Sequence, residues 1–69
     1  MKQIRIQHFN QIPNDCTEEQ QELIELTWRA VRALRGTGQV GSQEFVPRLT
    51  FKNKAGESWE AVIDYQSEL

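Results

Sequence analysis

The sequence predicts a small α+β domain, β-α-β-β in order, with one helix packed on one face of a three-stranded sheet. Three observations carry that prediction. A short alternating stretch opens the chain, an amphipathic stretch with helix-start chemistry follows, and two further alternating runs flank a turn at Asn53-Lys54-Ala55-Gly56.

The first strand is expected over residues 2–9. Ile4 and Ile6 share one face with His8 in phase, while Gln3, Arg5, Gln7 and Phe9 share the other. Residues Asn10 to Asp15 then carry proline and Asx-type turn formers, which read as a loop. Thr17-Glu18-Glu19-Gln20 fits a capping box, in which Thr17 accepts from the first turn and Gln20 reaches back. Glu18 and Glu19 lie at the positive end of the helix dipole. Arg29, Arg32 and Arg35 lie toward its negative end. The helix is expected from about residue 18 to 35, with Gly36 as a left-handed cap. Its apolar stripe centres on Leu23, Thr27, Ala30, Val31 and Leu34. Ile24 and Trp28 extend it on one side and Leu26 on the other, making an arc of roughly 200° at ~100° per residue. Glu25 and Arg29 are spaced for a favourable pair on the opposite side.

Residues 43–65 read as a hairpin. Phe45, Pro47, Leu49 and Phe51 share a parity, as do Trp59, Ala61, Ile63 and Tyr65. A three-residue loop with Gly56 left-handed sets Phe51 against Trp59 and Leu49 against Ala61, apolar against apolar. A two-residue loop would set odd against even and bury the wrong half of each strand. Pro47 donates no ladder bond, which places its strand at an edge or a bulge. The helix is expected to cover this odd face together with Ile4 and Ile6. Gln66 to Leu69 are expected to fray.

The 69 residues suit one domain with a core near the minimum size. With Cys16 alone there is no internal disulfide, and Cys16 and His8 are too few for a structural zinc site, so self-association as a dimer is the remaining support. The net charge of −2, from 8 basic and 10 acidic residues, gives no footprint for nucleic acid. No uninterrupted apolar stretch reads as a signal peptide or a membrane span, so a cytoplasmic protein without membrane contact is expected.

Gly36-Thr37-Gly38-Gln39-Val40-Gly41 matches the phosphate-cradling G-x-G-x-x-G pattern, but its neighbours are reversed. A dinucleotide loop follows a strand and opens a helix, whose positive end meets the pyrophosphate. Here the loop follows a helix. The expected role is capping and turning, with no cofactor.

No catalytic set is assembled. Cys16 before the helix lacks a basic partner and sits beside Glu18 and Glu19, which oppose a thiolate, so it reads as a small apolar filler. His8 reads as a strand-end histidine. The helix carboxylates lie on a solvated face, where acid–base chemistry has no desolvated cleft.

Two surfaces remain as candidates for contact with a partner protein. One is the helix flank with Trp28, Arg32 and Arg35, residue types favoured at hot spots. The other is the back of the sheet, where Val46 and Val62 lie among Arg48, Glu60 and Asp64, with Phe9 pointing to the same side. In topology alone the chain resembles the dodecins, small flavin-storing proteins that stack flavin on a tryptophan early in the second strand. The corresponding segment here, Ser42-Gln43-Glu44-Phe45, has none.

The expected function is a non-enzymatic protein-interaction module. It would be an intracellular regulator or inhibitor of the size that phages and other mobile elements encode. The alternative is a small-ligand or anion binder using Trp28, Arg35 and the Gly36–Gly41 loop at a subunit interface.

Overall fold

The computed structural model describes residues 2–38 and 45–66. Strand β1 (Lys2–Ile6) leads through a 3-10 turn at Phe9–Gln11 to helix α1 (Glu18–Gly36), then to strands β2 (Arg48–Lys52) and β3 (Ser58–Ile63). The sheet is mixed, in the order β1-β3-β2. β3 is central, parallel to β1 and antiparallel to β2. The α+β class and the helix-on-sheet packing are as the sequence predicts.

The hairpin forms in the predicted register. Phe51 pairs with Trp59 and Leu49 with Ala61. The Gly56 amide donates to the Asn53 carbonyl at 3.0 Å, and the Asn53 amide to the Glu57 carbonyl at 3.0 Å. Gly56 takes φ 84°, the left-handed value that the bulge requires. β2 is an edge strand, where Pro47 is tolerated because its carbonyl is what the ladder uses. It accepts from the Ile63 amide at 2.9 Å.

The parallel register with β1 lines up Lys2, Trp59 and Phe51 in one row and Ile4, Ala61 and Leu49 in the next. Both rows face α1. Ala61 is fully buried beneath it, with Ile6, Ile63, Ile24 and Val31 filling the rest of the core. Cys16 joins that core. Burial pushes its thiol pKa up, Asp15 adds to the rise, and Lys54 opposes it, which fits an inert filler.

Five details depart from the sequence expectations. β1 stops at Ile6, because the Gln11 side chain accepts from the amides of Gln7 and His8 at 2.7 and 3.0 Å and turns the chain into the 3-10 turn. β2 begins at Arg48, so Phe45 to Pro47 approach it as irregular chain. Thr17 caps α1 by accepting from the Gln20 amide at 3.3 Å, but the Gln20 side chain does not reach back. It instead accepts from the Lys52 amide at 2.9 Å, tying the helix start to β2. Gly36 is helical, and Gly38 at φ 76° is the left-handed residue, its amide bonded to the Arg35 carbonyl. Gln66 is tied down, its amide bonded to the Gln7 carbonyl at 3.2 Å. Gly41, the Ser42–Glu44 lead into the hairpin and residues 67–69 lie outside the described residues.

These glycine assignments predict opposite signs for one substitution. A Cβ at Gly36 or Gly56 meets nothing within 4 Å, so backbone preference alone decides. Gly36→Ala is expected to stabilise by at most roughly 0.5–1 kcal/mol, since Gly36 is helical but is the last residue of α1. Gly56→Ala is expected to destabilise by about 1–2 kcal/mol through its positive φ. Urea unfolding of the two variants checks both signs.

Candidate protein-interaction surface

The helix line that meets the sheet is Ile24, Trp28, Val31 and Arg35, spaced four, three and four. That is rotated from the expected centre and leaves Leu23, Leu26 and Ala30 outside. Arg35 lies on the buried line because it has work inside. Its side chain is only 6% exposed. Nη1 donates to Asp64 Oδ1 at 2.9 Å and to the Tyr65 carbonyl at 2.7 Å, and Nη2 donates to the Phe45 carbonyl at 2.7 Å. Asp64 also takes Arg5 Nη1 at 2.6 Å. Arg35 therefore clamps the helix end to the entry of β2 and the exit of β3. Its Nη1 and Nη2 are thus committed to partners inside the fold. The Arg35 guanidinium above all, against the opposing effect of burial, holds the Asp64 carboxyl below its ordinary range, with Arg5 assisting.

The back of the sheet is more polar than the sequence reading supposes. Val62 pairs with Arg5 on one side and Arg48 on the other, and it is buried. Glu60 holds Gln3 at 2.7 Å and Arg48 at 3.7 Å. Val46 is half-buried in the approach to β2. Phe9 is not on this side at all. The 3-10 turn carries it across to α1, where its ring meets Trp28 edge-on at 5.4 Å. Among the described residues the expected Phe9–Val46–Val62 patch does not assemble there, since Val62 is buried, Val46 is half-buried and Phe9 lies against α1.

Of the seven predicted contact residues, the fold brings Phe9, Trp28 and Arg32 together. Trp28 is buried between Phe9 and Tyr65, both edge-on, at 5.4 and 5.6 Å. The Arg32 guanidinium lies 5.7 Å from the Trp28 ring centre and that of Arg29 lies 5.6 Å from Phe9. Phe9 is 44% exposed. Among the described residues neither arginine has a carboxylate partner, and the expected Glu25–Arg29 pair does not form. The result is an aromatic cluster with two guanidinium cations over it.

A second feature was not legible in the sequence. An apolar recess of about 210 Å³ opens at the hairpin end of the helix-side sheet face, lined by Ile4, Pro13, Phe51 and Trp59 with Asp15 and Asn53 at its rim. It needs all three strands plus the loop before α1, so no local pattern announces it. Among the described residues no group of three His, Cys, Asp or Glu side chains is placed to hold a metal ion. Nor is any helix there long and apolar enough to cross a membrane. No protein-family model matches the chain, and no curated protein or solved structure is significantly similar to it.

Proposed function

We propose that this chain is a small non-enzymatic protein-interaction module, a regulator or inhibitor that acts by binding a partner protein through Phe9, Arg32 and the Trp28 edge beneath them. The observation that carries the reading is the half-exposed Phe9 ring braced on buried Trp28, beside two arginines without carboxylate partners among the described residues. Such a surface loses little side-chain freedom on binding, which is the usual condition for a hot spot. Its chemistry suits an acidic segment with an apolar anchor, the carboxylates meeting the guanidinium edges and the anchor covering Phe9.

The test is affinity capture from the native host's lysate with immobilised wild type, Phe9→Ala, Arg32→Glu and Arg48→Ala. We expect a partner held by wild type and by Arg48→Ala, and depleted about tenfold or more by Phe9→Ala or Arg32→Glu, the scale of a hot-spot loss. Retention by the helix variants with loss in Arg48→Ala would move the contact to the sheet back. Capture no greater than on blank resin would overturn the reading.

A further inference from the structure

Helix α1 carries a second apolar stripe that its own sheet leaves uncovered. Leu23 and Leu26 are 55% and 54% exposed, and Ala30 and Ala33 continue the line, both exposed. Their spacing of three, four and three is that of the a and d positions of a two-helix seam. At ~100° per residue the stripe lies about 150° around the axis from the buried Ile24–Trp28–Val31–Arg35 line.

We propose that this stripe is the seam of a symmetric dimer in which α1 packs antiparallel against α1 of a second copy. The charge layout selects both the occupant and its direction. The first half of the helix carries Glu18, Glu19, Glu22 and Glu25, and the second half carries Arg29 and Arg32 at its surface. None of these six forms an ion pair among the described residues. A parallel copy would set acid on acid and base on base. An antiparallel copy sets each half against its opposite, and a two-fold axis makes every such contact twice.

The two exposed leucines, rather than the whole stripe, select the register, which leaves Ala30 opposite Glu19 of the second copy. An axis passing between Ile24 and Glu25 stacks Leu23 of each copy on Leu26 of the other, so the two exposed leucines on each side cover one another. The same register brings Glu22, at the rim of the seam, opposite Arg29 of the second copy, and Gln20 opposite Thr27 on the other rim. Arg29 is free to take the carboxylate. Its guanidinium lies 5.6 Å from the Phe9 ring centre, a contact that uses none of its five N–H donors for a carboxylate. The seam adjoins the Phe9–Arg32 surface with Arg29 at the border between them, while Glu22, Leu23 and Leu26 belong to the seam alone.

The test is sedimentation equilibrium of the intact chain from micromolar to several hundred micromolar, with circular dichroism to verify folding. Wild type is expected to dimerise. Glu22→Arg alone and Arg29→Glu alone each place like charges opposite twice, weakening the dimer by about tenfold or more. Mixing the two variants pairs arginine on one chain with glutamate on the other at both rims and restores association. Leu26→Glu, at an exposed position, leaves the fold intact and abolishes the dimer. A wild type that stays monomeric, a dimer indifferent to Leu26→Glu, or single variants that do not recover on mixing would each overturn the proposal.

Discussion

Arg35→Ala is expected to destabilise the chain by about 3–5 kcal/mol, the usual result of removing one partner from a buried ion pair. A domain of this length has roughly 3–10 kcal/mol in total, at ~0.05–0.15 kcal/mol per residue, so the variant should be at or near unfolding at room temperature. The reason is local. Both the Arg35 and Asp64 side chains are nearly buried, and truncation leaves Asp64 with Arg5 and a 3.5 Å bond from Gln66 Nε2, and strips donors from the Phe45 and Tyr65 carbonyls. Replacing both members, as in Arg35→Met with Asp64→Asn, is expected to cost less than the two single losses combined, since no charge is then stranded. The pH dependence has a definite sign. The folded Asp64 carboxyl lies below its ordinary range. Its contribution is therefore full above the unfolded value of about 3.9 and is lost as pH falls through that value toward the depressed one. Asp64→Asn should flatten that acid limb in urea titrations run from neutral to acid pH. An Arg35→Ala loss below about 1 kcal/mol would show that the clamp is no stronger than a surface pair.

Trp28→Ala should cost about 3–5 kcal/mol, by opening a cavity under Phe9 and Tyr65 at the centre of the helix face. Trp28→Phe should cost far less. It keeps an aromatic body in the stack, and it removes the indole N–H, which is buried without a hydrogen-bond partner among the described residues. Such an orphan donor carries a penalty of about 1–3 kcal/mol, and relieving it offsets part of the lost volume. Equilibrium unfolding of the two variants gives the comparison. Equal losses would mean that neither the stack nor the orphan donor matters.

The hairpin was legible in the sequence because parity is a strong constraint. Phe51, Trp59, Leu49 and Ala61 fall on one face under only one loop length, and Gly56 stands where that loop needs it. The helix was legible in extent but not in rotation. Leucines at 23 and 26 pulled the expected centre toward themselves, while Arg35 counted as polar. Its burial depends on Asp64, 29 residues away, and a contact of that range leaves no periodic trace. Phe9 departs from its expected face for a related reason. Alternation continues through His8, yet Gln11 captures two backbone amides and ends the strand. Of the contact surface, the residue types were visible in Trp28 and Arg32, but their union with Phe9 required the turn. The order β1-β3-β2 had no local signal, since a parallel partner is joined through the helix rather than by a turn.

The central place of β3 bears on biosynthesis. Among the described residues β1 and β2 are not paired with each other, and each pairs with β3. A ribosome that has released everything up to Lys52 has therefore delivered two strands with no template between them. Assembly must wait for Ser58 to Ile63 to clear the exit tunnel, and the first strand is then threaded beside a segment more than fifty residues downstream. Until that moment Ile24, Trp28 and Val31 of the helix have no sheet to cover them, the kind of exposed apolar surface that makes a folding intermediate prone to aggregate.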